Sequence, residues 1–342
     1  MLSQYMGDTL FFRFASTDET SLLMILDDLQ KHAGDNVTFG ISSLLAGAGV
    51  LDMNTLTGNE EAPTTYGDTL YIHELAHAIL LQGPISDQRI LFDRRRTGRN
   101  RLSDWYAART DHSAANQLAG YTPQTDTRFT GLQAAIATTR QILPAGITDA
   151  ANLTSANTFD ITFLDTAANN AKALTSGIRA LRVGGRDFYM VFQHVSQATD
   201  MRKNTSLGQW LDIQKAAMTG GDIGDNPIFW MALGMYRQTL IHENARVTNA
   251  VATAGTAVAN TKRALHCGAQ SAVLAFGRSH MADTKFRWLE ELRDFGRQIG
   301  IGVSAIWGMV KVQFNSVDFA VQAIDTYGLD LDTLAAASTN AQ

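Results

Sequence analysis

The run His73-Glu74-Leu75-Ala76-His77 places two histidines four residues apart with a glutamate beside the first. On a helix this spacing puts both imidazoles on one face, where they bind zinc while the glutamate acts as general base toward a metal-bound water. Asp68 stands where it would cap such a helix, and Gly83 with Pro84 where the helix would end. A catalytic zinc site also needs a third protein ligand. The longer pattern that supplies a third histidine fails, because Leu80 occupies its glycine position and Gly83 its histidine position. The next glutamate is Glu243; Asp87, Asp93, Asp104 and Asp111 come earlier, none marked by its spacing. Two readings stand at this point: a zinc-dependent metallohydrolase with His73 and His77 as ligands and Glu74 as base, or two histidines on an extended arm that holds no metal.

Other chemistry-bearing residues offer less. His242-Glu243 lacks a second histidine at a useful distance, and His266-Cys267 reads as helix packing. No nucleophile elbow, phosphate-binding glycine loop or Cys-x-x-Cys pair is present. Gly220-Gly221-Asp222 and Asp225-Asn226-Pro227 have the wrong ligand spacing for calcium and read as turns. Cys267 is the single cysteine of the 342 residues, so no intrachain disulfide forms and a reducing compartment is expected. Hydrophobic residues make up 45% of the chain and charged ones 18%, a balance that supports a large core and excludes a disordered chain. A net charge of −5 argues against a protein whose main task is gripping phosphate backbones. The first residues lack the basic start and apolar core of a secretory signal. The longest uncharged run, Asn36 to Leu51, has 16 residues and falls short of a membrane span, so a soluble protein is expected.

The elements that must carry these residues follow from periodicity. Residues 1–35 read as an N-terminal arm with one helix, capped by Thr20 or Ser21, apolar through Leu22, Leu23, Ile25, Leu26 and Leu29, and ended by Gly34. Residues 36–83 read as a long hairpin with a polar tip from Asp52 to Tyr66; such an arm has no core of its own. From Ser86 the pattern is helical, with Leu102, Trp105, Ala108, His112, Ala115 and Ala119 at three- and four-residue spacing until Gly120, and Gly98 is a point of interruption. Residues 121–215 alternate strand-like pieces, among them FDITFLD (159–165) and RDFYMVFQHV (186–195), with the helical AANNAKALTSGIRALR (167–182), an α+β signature. The turn formers of 218–227 mark an internal boundary, after which an Ala-rich helix around 261–276 and Gly-punctuated strands such as GIGVSAIWGMVKVQF are expected.

Charge is distributed unevenly. Residues 36–82 contain Asp52, Glu60, Glu61, Asp68 and Glu74 and no basic residue, a sum of −5. Residues 83–101 hold Arg89, Arg94, Arg95, Arg96, Arg99 and Arg101 against Asp87 and Asp93, a sum of +4. The basic run fits a nucleic-acid patch, a solvated helix face, or a receptor for the acidic arm of a neighbouring subunit. The third reading is favoured by 21 arginines against 7 lysines, since arginine's planar fork suits interface carboxylates.

Several blocks together carry a resemblance to a known family: Gly58-Asn59-Glu60-Glu61, YIHELAHAILLQG (71–83), the run from Ser86 to Gly120, TSLGQWLDIQKAA (205–217), DNPIFWMALGMYRQTLIHENARV (225–247), RALHCGAQSAVLAFG (263–277), and the ending from Asp294 to Tyr327. In this order, over about four-fifths of the chain, they resemble the major capsid proteins of tailed bacteriophages of the N-four-like group. The resemblance implies the capsid fold shared by tailed phages and herpesviruses. By that likeness residues 1–35 are the N-terminal arm, 36–83 the extended loop, 84–219 a peripheral domain with a spine helix over 86–120, 220–315 an axial domain, and 316–342 a strand returning to the peripheral domain with a C-terminal tail. The implied function is a structural, non-enzymatic one without cofactor: pentamers and hexamers that close into an icosahedral head around double-stranded DNA. Portal, scaffolding and decoration proteins are candidate further partners, DNA is contacted weakly on the inner face, no membrane is involved, and the virion shell assembles in the host cytoplasm. Asp52, Glu60, Glu61 and Asp68 are the candidate loop residues for pairing with Arg94, Arg95, Arg96, Arg99 or Arg101 of a neighbour. Some relatives of this fold crosslink through a loop lysine; residues 36–82 contain none, so that chemistry is excluded here. The sequence starts close to the arm without a long helical segment before it, so a separate scaffolding protein or none is expected.

Overall fold

The structure is a computed structural model; it describes residues 9–26, 35–42, 45, 47, 49–62, 65–125, 134–173, 177–183, 185–204, 232–277 and 286–330. Strands β1 (Ala15–Ser16) and β2 (Leu23–Leu26) open the chain, β3 (Asn36–Ser42) and β4 (Thr65–Tyr71) form an antiparallel hairpin, and β5 (His73–Leu81) continues from it. Helix α1 (Pro84–Gln88) precedes the long helix α2 (Arg94–Ala119). Strand β6 (Gln141–Ile142), helix α3 (Ile161–Lys172), β7 (Leu181–Val183), β8 (Arg186–Gln193) and helix α4 (Val195–Lys203) follow. Further on come β9 (Ala232–Tyr236), β10 (Thr239–Glu243), β11 (Thr261–Cys267), β12 (Ala272–Phe276), β13 (Arg287–Arg293) and β14 (Gln298–Lys311). A small hairpin of β15 (Gln313–Phe314) and β16 (Val317–Asp318) leads to β17 (Val321–Tyr327).

Among the described residues two larger sheets form. The first has the order β1-β2-β12-β14-β13, with β5 also pairing β14; the second has the order β6-β17-β11-β8-β10-β9, with β7 also on β8. Both sheets draw strands from either side of residue 220. The backbone of β14 is what brings β5 home. Its alternation buries Ile301, Val303, Ala305, Trp307 and Met309 on one face, the period of two that a half-buried strand requires. Gly308 is needed where the chains approach closely, since a Cβ there would lie 2.0 Å from the Tyr71 carbonyl oxygen.

Helix α2 confirms the expected long helix with altered limits. Asp93 caps it, accepting hydrogen bonds from the Arg95 and Arg96 amides, and Gly120 ends it in the left-handed region at φ 56°. The interruption falls between α1 and α2 and not at Gly98, which is buried within the helix. Leu102, Ala115 and Ala119 are buried as the spacing predicts, but His112 is exposed, and from Thr110 onward almost every other residue of the helix is buried. A helix buried nearly all round has no stripe for periodicity to report.

Three expected elements are corrected. The arm's Leu23–Leu26 is a strand, because β12 supplies a parallel partner along its length; a short apolar run does not tell helix from strand. FDITFLD lies mostly in helix α3, where the Asp160 carboxylate accepts from the Thr162 amide and Ile161, Leu164 and Ala168 fall on the buried side. The Ala-rich segment 261–276 is β11 and β12, one in each sheet, with every residue of both buried. Burial on both faces produces the continuous apolar run that resembles a core helix. His73 to Leu81 is extended, as the hairpin reading of 36–83 expects and the zinc-helix alternative does not, but it pairs with β14, and the hairpin itself ends at Tyr71. The remainder of the arm helix and the boundary at 218–227 lie outside the described residues. No described helix is long and apolar enough to cross a membrane.

The core contains charged groups held in pairs. Arg263 of β11 donates from Nε and Nη2 to Asp325 of β17 at 2.7 Å each, and from Nη1 to the Ala119 carbonyl at the end of α2 at 3.0 Å. Lys311 meets Asp318 at 2.6 Å, both side chains fully enclosed. Asp325→Asn leaves the Arg263 guanidinium buried without its counter-charge, so a loss of about 3 kcal/mol is expected, measured as a lower urea midpoint of the unassembled subunit. His266, wholly buried against Tyr189, is held neutral; desolvation lowers its pKa from 6.5 to about 4. The unfolded chain takes up that proton first as pH falls, so stability is lost between about pH 6.5 and 4, by about 3 kcal/mol, and not further below. His266→Leu is expected to flatten this part of the pH–stability curve, read by denaturant unfolding at pH 7 and pH 4.5.

Candidate inter-subunit surface

The zinc arrangement depends on a helix that does not form. On strand β5 the His73 and His77 positions face the same side but lie about 13 Å apart at the rise of a strand, and Glu74 points to the other face. His77 instead stacks on Trp105 of α2, ring centroids 4.3 Å apart. The two ligands and the base cannot share an ion. Asp93 is committed to the α2 cap and Asp111 to the N-terminal segment, which removes two of the four third-ligand candidates. Among the described residues no group of three or more His, Cys, Asp or Glu side chains converges on a metal-sized site. Cys267 is buried, and desolvation pushes its thiol up to about 12, the opposite of an activated nucleophile.

The hairpin β3–β4 pairs with register Asn36↔Tyr71 through Ser42↔Thr65, and its described tip is almost entirely exposed. Tip side chains Leu45, Leu51, Met53 and Leu56 stand in solvent, Met53 completely. Beside them Glu60 accepts from the Gly58 amide at 2.7 Å and Glu61 from the Gly47 amide at 2.6 Å, so both carboxylates shape the tip as well as charge it. Asp52 takes a positive φ of 52° at the turn, and Asp68 binds the Thr69 amide on β4. Solvated charge beside exposed apolar side chains is what an arm that lies over another surface requires.

At the start of α2 the arginines divide. Arg95 Nε donates to Glu290 of β13 at 3.2 Å and its Nη2 reaches the other carboxylate oxygen. Arg99 lies 3.6 Å from Glu290 and 5.0 Å above the Trp288 ring, and Trp288 Nε1 donates to the same carboxylate at 3.1 Å. Arg94 donates to the Gln82 carbonyl at 3.1 Å. The side chains of Arg96 and Arg101 project from exposed positions. Within one subunit, therefore, Arg95 and Arg99 are drawn to β13 and not to the acidic loop. The Arg95 guanidinium holds the Glu290 carboxyl below its ordinary range, chiefly through their hydrogen bond. No feature of the sequence singles out Glu290, because its arginine partners lie almost two hundred residues earlier. Close by, Leu91 and Phe92 before the helix and Leu292 and Phe295 at the β13–β14 turn are exposed.

A hairpin without a core, a long helix laid on a sheet and a second sheet behind it define the capsid fold of tailed phages. The chain matches the family described as phage capsid protein over residues 3–329, and it belongs to that family. It is 28% identical over 331 residues to the major capsid protein of Pseudomonas phage KPP25, covering 89% of this chain and 85% of that protein. Among solved structures it is similar to the capsid of Ralstonia phage GP4, with a TM-score of 0.80 and 28% identity over 93% of this chain and 90% of the other. The capsid of cyanophage Pam1 superposes with a TM-score of 0.71 at 19% identity, covering 92% and 91% of the two chains, a likeness of fold.

The Glu290 cluster ties the β13–β14 hairpin to α2 at a solvent-accessible site, where an ion pair contributes little. Glu290→Gln is expected to lower subunit stability by at most about 1 kcal/mol in low salt and by nothing measurable in molar salt, read by thermal unfolding in the two buffers.

Proposed function

We propose that this chain is the shell-forming subunit of a tailed-phage head: it assembles as pentamers and hexamers, closes into an icosahedral capsid and encloses double-stranded DNA. The observation that carries this reading is the β3–β4 hairpin, whose apolar tip residues Leu45, Leu51, Met53 and Leu56 are exposed among the described residues. Its role is structural, in the virion shell. The units of assembly are the arm 1–35, the loop 36–83, the peripheral segment 84–219, the axial segment 220–315 and the returning strand with its tail, 316–342.

In the shell each loop lies over a neighbour, where Asp52, Glu60, Glu61 and Asp68 meet the basic end of α2. Arg96 and Arg101 are the exposed members of that run, and Arg95 and Arg99 become available as their shared bond to Glu290 exchanges for a neighbour's carboxylate. Exposed pairs contribute roughly 0–1 kcal/mol each, so apolar contact supplies affinity and the charges fix register. The acid excess suits an inner wall along which packed DNA slides without tight binding. Assembly in the host cytoplasm, and contact with portal, scaffolding or decoration proteins, complete the proposal.

Electron microscopy of the purified protein tests the class directly, with closed shells, tubes or capsomers expected. Glu60→Arg combined with Glu61→Arg is expected to block assembly, and reversal of Arg96 and Arg101 to glutamate to restore part of it. Normal shells from the double loop reversal alone would remove the charge-pairing idea.

A further inference from the structure

Residues 9–14 lie outside both sheets and are held first by a side chain of helix α2. Leu10 and Phe11 donate their backbone N–H groups to the Asp111 carboxylate, one hundred residues away on helix α2, at 3.2 and 3.3 Å. Arg246, in the segment after β10, donates Nη1 to the same carboxylate at 2.9 Å. Asp111 is enclosed, and burial pushes its carboxyl above the ordinary range even though the three donors oppose the rise. A buried charge is an expensive way to fill space, since an apolar residue of similar volume stabilises as well or better. What the carboxylate adds is direction: two adjacent amides can be accepted only when the segment crosses the helix in one register.

The side chains that follow are wedged between the sheets. Phe12 lies against Trp307 of β14 in the first sheet, with ring centroids 6.5 Å apart. Phe11 lies 4.5 Å from Phe192 of β8 in the second sheet, and Phe14 lies 6.2 Å from Phe192 and 5.4 Å from His242 of β10. At Ala15, the next residue, the chain enters the first sheet itself, through β1 and then β2. One short segment thus touches the spine helix and both sheets.

We propose that residues 9–14 form a strap that fixes the angle between the two sheets, with Asp111 as its positioning residue, and that this angle sets the diameter of the assembled shell. The inference rests on the reading of the chain as a shell subunit. In a shell of identical subunits a small change of angle within the subunit is repeated in every copy, and so changes the curvature at which the shell closes. A strap that is seated allows one curvature; one that is loose allows several.

Asp111→Asn tests this in the full-length chain. The asparagine retains one acceptor oxygen but turns an N–H₂ group toward the remaining donors. The variant is expected to fold, to be cut by trypsin at the exposed Arg13 about tenfold faster as the open population rises, and to assemble into particles of mixed diameter. Faster cleavage with particles of the unaltered diameter would overturn the role in curvature, and unchanged cleavage would overturn the role of Asp111. If Asp111→Asn does not fold, Phe14→Ala, at a half-buried position, replaces it with the same two readouts, and a single unaltered diameter from a rapidly cleaved Phe14→Ala protein would equally overturn the proposal. Failure of the unaltered chain to form any shell, tube or capsomer is a different result: it overturns the reading as a shell subunit.

Discussion

Arg263 is the residue on which the architecture converges. Its guanidinium is enclosed, and it answers with donors in a fixed planar fork: two to Asp325 on β17, one to the Ala119 carbonyl where α2 ends, and one to Val251 at 3.3 Å. The end of a helix leaves carbonyls without intrahelical partners, and burying that end demands a donor. A strand residue supplies it here, so the second sheet and the spine helix are fixed to each other by the same group. Gln141 adds a donor to Asp325 at 2.6 Å, and Arg140 donates to the Asp318 carbonyl, extending the satisfied network toward β6. Buried charge of this kind specifies geometry more than it stabilises.

The opposite sheet is attached by different means. The Tyr106 hydroxyl reaches the carbonyls of Leu75 and Val303 at 2.5 and 3.0 Å, one on each of the paired strands β5 and β14. Its ring is buried beneath them, in edge contact with Trp105 and Phe286. Arg263 holds one end of α2 and Tyr106 its middle, so the helix is bonded to each sheet at one place. The β3–β4 hairpin packs Leu70 against the first sheet and the Tyr66 ring on Phe314, centroids 4.4 Å apart, while its described tip is exposed. Rigidity is concentrated in the body and extension in the loop, the division that a subunit needs if it is to keep its shape while reaching a neighbour.

The histidine motif illustrates how far local pattern reaches. Five residues with helical ligand spacing, an aspartate before them and Gly-Pro after them all suited a zinc helix. Strand β14 offered nine consecutive backbone partners to His73 through Leu81, and that ladder outweighs the local preference for helix. The candidate loop acids and helix arginines were legible because unlike charge was separated along the chain, whereas Glu290, Trp288 and Asp111 were not, since each acquires its role only from a residue a hundred or more positions away.

By itself the sequence determined the α+β class, the extended flanks of a hairpin within 36–83, the long helix ending at Gly120, the strands at 186–193 and 298–311, and the membership that its ordered blocks announced. These rest on short-range causes: turn formers, caps, alternation and local charge. Only the tertiary structure decided that Leu23–Leu26 and the Ala-rich 261–276 are strands, that His73–Leu81 pairs with β14, that Ile161–Lys172 is a helix, and that Arg95 and Arg99 reach Glu290. In a sheet both hydrogen-bond partners and both faces come from distant segments. An apolar run therefore carries no record of whether a strand will be waiting beside it.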